Sequence, residues 1–184
     1  MASSREDRQN RYVAKARAEL GSLADRGVQM AGNAFSSVML LKGEPSEAEL
    51  AGGRPFAGRD GEALRAALQA LGYAPQDWSG LATWDKDGNQ LKADLLREAI
   101  CALDPATVIV CDHAAANLLR ETYASELLDA ASGEQVVLSD GEPMVMAGMR
   151  VLSLGGFDAA LDDAHQKQVM WHRLKKLPPL GEPY

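Results

Sequence analysis

Only two cysteines, Cys101 and Cys111, occur in 184 residues. Two widely spaced thiols make neither a disulfide framework nor the paired spacing of a zinc site, and they read as buried thiols. Positive charge is also short. Nineteen lysines and arginines stand against 26 aspartates and glutamates, giving a formal charge of -7 and a pI near 5.0. Extensive non-specific binding to nucleic acid needs clustered cations that displace counterions. The acidic balance argues against it, while leaving room for a local basic patch. No apolar run approaches the ~18 residues that cross a bilayer, so no membrane partner is expected. The opening residues, MASSREDRQNRYVAKARAEL, are charged and lack an apolar core. They do not read as a secretory signal, and a cytoplasmic location is the default expectation. Three histidines carry no metal-type spacing with cysteine or acidic residues, and no phosphate loop of the Gly-Lys-Ser/Thr type occurs. No metal site is expected.

What is present is ordinary for a globular chain: 46% apolar and 24% charged residues. The length fits one domain with a real core. We read residues 1–184 as that domain, with an N-terminal helix over 1–27, a core over 28–177 and a tail over 178–184. Tyr12, Ala16, Leu20 and Leu23 recur at helical spacing within 3–26. Residues 27–33 read as a loop. FSSVMLL (35–41) and ATVIVC (106–111) read as buried parallel strands. Helices are expected from Asp60 to Leu71, with Asp60 as the cap, from Gln90 to Leu103, and after a capping Asp112. A weak strand is expected near 81–84. EQVVLSDGEPMVMAGMRVLSL holds two or three strand-like pieces, with DGEP as the turn. A last helix begins at Asp158, which reads as its cap, and places Leu161, Ala164, Gln168, Trp171 and Leu174 on one face. Strands alternating with helices imply a three-layer α/β/α fold around a short, mainly parallel sheet. Ligands in such folds sit at the carboxyl ends of the strands. The loops after Leu41, Cys111 and Leu154 qualify.

The first of these loops is the least ordinary stretch. KGEPSEAELAGGRPFAGRDGEAL, residues 42–64, carries five glycines, two prolines and five acidic residues. Gly43 permits close backbone approach, Pro45 fixes the exit direction, and Ser46 can cap the short turn EAEL. Glu44 is the carboxylate at the strand end. It can act as a base toward water, or simply be solvated. Phe56 is either a ring that stacks on a planar ligand or a plug that holds the loop on the core. Arg54 and Arg59, beside it, are the candidates for phosphate contact. The basic end of the last helix, Arg173, Lys175 and Lys176, is explained by the helix macrodipole.

This order of features resembles the first motif of the uracil-DNA glycosylase superfamily, and most of all its family 4. There a strand leads to Gly-Glu-Ala-Pro-Gly, an acidic stretch, then Gly-x-Pro-Phe-x-Gly-x-Ala-Gly and a helix. Gly53, Pro55, Phe56, Gly58 and Gly61 match, and the family's alanine is Asp60. DPATVIVCDHAAANLL and MRVLSLGGFDAALDDAHQKQVMWHRLKKL resemble the family's later strand–helix units more loosely. The similarity runs over residues 28–177. It implies a nucleobase pocket in a DNA-recognising, N-glycosidic hydrolase fold.

The chain also departs from that pattern. Gly-Glu-Ala-Pro-Gly falls on Lys42-Gly43-Glu44-Pro45-Ser46, so the carboxylate position becomes Gly43 and Glu44 follows one place later. The family's His-Pro-Ser falls on Gly156-Phe157-Asp158, which removes the histidine that stabilises the departing base. Gly156 retains a backbone N–H, and Phe157 is either a wedge between bases or a core residue. The asparagine that reads uracil falls on Ala82 or Thr83, where Thr83 offers a single hydroxyl. Family 4 holds an iron–sulfur cluster on four cysteines. Only Cys101 stands at a matching place, so no cluster and no other cofactor is expected. His113 is the histidine nearest the expected cleft, and His165 and His172 lie on the last helix. The resemblance thus implies a nucleobase- or DNA-recognising protein with degenerate catalytic motifs and weak or no conventional uracil excision. The alternatives are an inactive nucleotide-binding domain and a protein-interaction domain.

Overall fold

A computed structural model describes residues 3–128 and 137–177. Of the first strand-like piece of the EQVV segment, residues 134–136 fall outside the described residues, as does the tail over 178–184, and Val137 and Leu138 are not in a strand. Helix α1 (Ser3–Asp25) opens the chain. Tyr12 on it is exposed, and the helix packs through Leu20 and Leu23 near its end. Residues 3–17 offer too few apolar side chains for a longer buried stripe. The segment read as a loop over 27–33 contains a short edge strand, β1 (Met30–Gly32). The buried strands β2 (Val38–Lys42) and β4 (Thr107–Val110) form at the two hydrophobic runs. β3 (Ser79–Ala82) starts two residues before the expected weak strand. β5 (Met144–Met146) and β6 (Met149–Ser153) form a hairpin. Its turn is Ala147-Gly148, both at positive φ, rather than DGEP.

The six strands among the described residues lie in the order β1-β3-β2-β4-β6-β5. The central four are parallel, and β1 and β5 run antiparallel at the edges. Alternation along β2 sends Met39 and Leu41 to one face and Val38 and Leu40 to the other. Met39 and Leu41 join a core with α1, α4 (Ala93–Leu103) and α5 (His113–Thr122). Val38 and Leu40 join a second core with α3 (Arg59–Ala70), α7 (Phe157–Ala160) and α8 (Ala164–Leu174). The sheet is therefore sandwiched between two helical layers. Two short helices, α2 (Glu47–Leu50) and α6 (Ala124–Leu127), complete the described set.

Local chemistry set several boundaries differently from the sequence reading. α3 begins after Gly58, so Asp60 lies inside the first turn instead of capping it. α8 is capped by Asp163, whose side chain accepts from the Gln166 N–H, while Asp158 sits in α7. The buried face of α8 runs through Met170 and Leu174, and Gln168 and Ala164 are exposed. Cys101 is exposed and Cys111 is buried, so only one of the two thiols is in the interior. No helix among the described residues is long and apolar enough to cross a membrane.

Candidate functional site

The parallel arrangement brings the ends of β2, β4 and β6 to one side of the sheet. The loops that leave them enclose a cleft of about 190 Å³, lined by Glu44, Pro45, Ser46, Asp112, Gly156 and Phe157 among others. Two backbone-level ties hold the loops together. Asp112 closes the first. Its carboxylate caps α5 by accepting from the Ala115 N–H at 2.8 Å, and it also accepts from the N–H groups of Gly43 at 2.9 Å and Glu44 at 3.0 Å. A carboxylate bonded to three main-chain donors is a strong, charge-assisted anchor. The second tie is the Phe157 N–H, which donates to the Cys111 carbonyl at 2.9 Å.

Gly43 has no room for a side chain. A Cβ built there would lie 2.2 Å from Ala115 N and 2.7 Å from the Ala114 carbonyl carbon. The first turn of α5 packs directly on this glycine. The nearest carboxylate along the loop is therefore Glu44, which is exposed at the cleft. Its side chain has no hydrogen-bond or ion-pair partner among the described residues, leaving both oxygens open to solvent or ligand.

Beneath the loop lies a group that the sequence reading missed. Lys42, the last residue of β2, is 4% exposed, and Glu49 and Asp60 are each 6% exposed. The Lys42 ammonium donates to Glu49 Oε2 at 2.8 Å and to Asp60 Oδ2 at 2.6 Å. Burial pulls the Lys42 pKa down, but the hydrogen bonds and charges of Asp60 and Glu49 outweigh it, so the net shift is upward. Glu49 does further work. It completes a capping box with Ser46 at the start of α2, and its Oε1 accepts from the Phe56 N–H at 3.0 Å. One carboxylate thus fixes both halves of the loop. Lys42 and Asp60 also line the cleft, so its inner wall is an ion pair.

Phe56 is not part of this cleft. Its ring is 1% exposed and sits edge-on to Trp78, with centroids 6.3 Å apart, over the backbone of Gly80. Lys42 Nζ lies 6.0 Å from the ring centroid. In this structure Phe56 plugs the loop onto the sheet and presents no open face for stacking. Its positive φ of 62° is imposed by the tight turn that leads into α3. Thr83 is buried beside β3, where its N–H bonds the Lys42 carbonyl, and it too lies outside the cleft.

The remaining candidates divide. Gly156 and Phe157 face the cleft opposite the Glu44 loop, with Phe157 mostly buried against the second core. Arg59, the first residue of α3, reaches across the rim to α7 and the turn after it. Its guanidinium bonds Asp158 Oδ1 at 3.0 Å and Asp162 Oδ1 at 2.5 Å, so its charge is already taken up. Arg54 lies in a different groove, along β1. His113 is exposed at the start of α5, 4.0 Å from Asp140, and does not line the cleft. Cys111 does line it, but burial pushes its thiol well above the ordinary pKa, which leaves it protonated and unsuited to nucleophilic attack. Among the described residues, no group of three or more His, Cys, Asp or Glu is placed to hold a metal.

The cleft is thus small, with the open carboxylate of Glu44 on its wall, Asp158 already paired with Arg59, and one neutralised cation behind it. It suits a neutral ligand that donates hydrogen bonds. No family model matches the chain, and comparison with curated proteins finds no match.

Proposed function

We propose that the cleft at the ends of β2, β4 and β6 recognises a nucleobase, in a domain of the uracil-DNA glycosylase type whose conventional uracil excision is weak or absent. The observation that carries this reading is a convergence. Glu44, Pro45, Gly156 and Phe157, singled out from two motifs more than 100 residues apart in the chain, line one cleft. Its volume, about 190 Å³, is below the ~300 Å³ at which drug-sized pockets begin, and it favours a single ring. The open oxygens of Glu44 complement the N–H groups on the pairing edge of a base.

The departures support recognition over chemistry. The carboxylate position of the motif is Gly43, where a side chain collides with α5. The position of the base-stabilising histidine is Gly156. Two further changes on the first motif, Lys42 and Asp60, are partners in the buried ion pair, and they occupy the inner wall. Phe56 and Thr83, which the resemblance assigns to the base, lie outside. Arg59, the cation at the rim, is held by both Asp158 and Asp162, so that edge keeps a net negative charge and disfavours a phosphate backbone.

The test is a thermal-shift series with nucleobases, nucleosides, nucleotides and short oligonucleotides at low salt. A base or nucleoside should raise the melting temperature, and Glu44→Gln should abolish the rise. An unchanged melting temperature across the whole series would refute the reading. A second reading has one specific support: Glu44 is exposed and unpartnered, as a base toward water must be. Base release from uracil- or hypoxanthine-containing strands, lost in Glu44→Gln, would favour that active form.

A further inference from the structure

A second groove, of about 610 Å³, runs along the outer edge of the sheet beside β1. We infer that it is a docking site for an acidic, extended polypeptide segment, which adds to the sheet as a strand next to β1. Two independent features meet there.

The first is an open main-chain edge. Among the described residues β1 pairs with β3 alone, and at the flanks Ala82 N–H bonds the Gln29 carbonyl and Asn33 N–H bonds the Trp78 carbonyl. Antiparallel bonding alternates along a strand. Gln29 and Asn33 face β3, so Ala31 does as well, and Met30 and Gly32 turn their N–H and C=O groups outward. A row of this kind is a template for another chain.

The second feature is charge. Arg54, Arg65 and Lys86 line the groove, with no aspartate or glutamate among the lining residues, on a chain whose formal charge is -7. Neither Arg54 nor Lys86 has a side-chain hydrogen bond or ion pair among the described residues. Arg65 donates to the Phe56 carbonyl at 2.8 Å and holds its guanidinium 5.2 Å from the centre of the Trp78 ring. The opposite edge of the sheet differs. The groove beside β5 has Glu126 and no cation in its lining.

These features favour a polypeptide over a nucleic acid strand. Single-stranded nucleic acid is held by aromatic platforms on which bases stack. Here the Trp78 face is covered by Arg65, and Phe56 is buried. What the groove offers is main-chain donors and acceptors with cations alongside. That combination matches a backbone bearing carboxylates.

The experiment is selection from a random-peptide display library on the full chain, with hydrogen exchange on the selected complex. Acidic, proline-free peptides should be enriched. Their binding should slow exchange at the Met30 and Gly32 amides, with little change at Ala31, which is already bonded. The double variant Arg54→Glu/Lys86→Glu should weaken binding roughly tenfold or more while leaving the melting temperature unchanged, because both side chains are exposed and unpaired. Selected peptides without acidic bias, unaltered exchange at Met30 and Gly32, or binding indifferent to the double variant would each overturn the inference. So would protection of these amides by a short oligodeoxythymidylate, which would assign the groove to nucleic acid. None of these outcomes depends on the Glu44 cleft.

Discussion

Restoring a carboxylate to position 43 is the obvious attempt to recover a glycosylase, and the structure predicts that it fails. A Cβ at Gly43 meets Ala115 N at 2.2 Å, the Ala114 carbonyl carbon at 2.7 Å and Asp112 Oδ1 at 2.8 Å. Two of these atoms are backbone in the first turn of α5, so no rotamer change relieves the contact. The loop must move away from the helix by more than an ångström. Overpacking of this kind costs about 1–3 kcal/mol. The movement also breaks the bonds from Asp112 to Gly43 and Glu44, and charge-assisted bonds of that type contribute about 1.5–3 kcal/mol each. A new carboxylate beside Asp112 adds repulsion. Gly43→Glu should therefore lose about 4–9 kcal/mol, or roughly 8–36 °C in melting temperature for a chain of this size. Gly43→Ala should lose less, because it carries no charge. The assay is urea unfolding followed by circular dichroism, with a base-release assay run alongside. A Gly43→Glu protein of native stability, or one that gains uracil excision, would refute the packing argument.

Lys42→Met leaves Glu49 and Asp60 buried without their cation and should cost about 3–5 kcal/mol in urea unfolding, with part of the loss recovered by adding Asp60→Asn. The folded pKa of Lys42 lies above its unfolded value of about 10.4, so its contribution is complete below that pH and is lost as pH rises through the folded value. The stability gap between the native protein and Lys42→Met should accordingly stay flat from neutral pH to about 10 and shrink above it. Arg59→Ala breaks only exposed pairs and should leave the melting temperature nearly unchanged, while amide exchange across 158–162 speeds up. A thiol reagent at neutral pH should label Cys101 at once and Cys111 only on unfolding, read by mass spectrometry of the labelled peptides.

The layers of the fold were legible because buried strands announce themselves. VMLL and TVIV are unbroken apolar runs, and each becomes a fully buried parallel strand. The capping roles of Ser46 and Asp112 were also readable, since the right side chain stands just before each helix. β1 was not, because Met-Ala-Gly has no strand signature of its own and is recruited by pairing with β3. Asp60 was assigned to a cap because the residue suits one. Its tertiary partner Lys42 holds it two places past the cap position at Gly58, and no local rule describes that attraction. The cleft was partly legible: Glu44 and Gly156 could be placed at strand ends from topology alone. The fate of Phe56 could not, because whether its ring faces ligand or core depends on Gly80, a strand away.

The central claim is that the cleft between Glu44 and Gly156 recognises a base. Amide chemical shifts, followed while uracil, hypoxanthine and their nucleosides are added, test it most directly. A base in the cleft should give saturable shifts at Glu44, Gly156 and Ala159, with none along the β1 groove, and these should disappear in Glu44→Gln. Shifts confined to the β1 groove, or no shifts with any base, would contradict it.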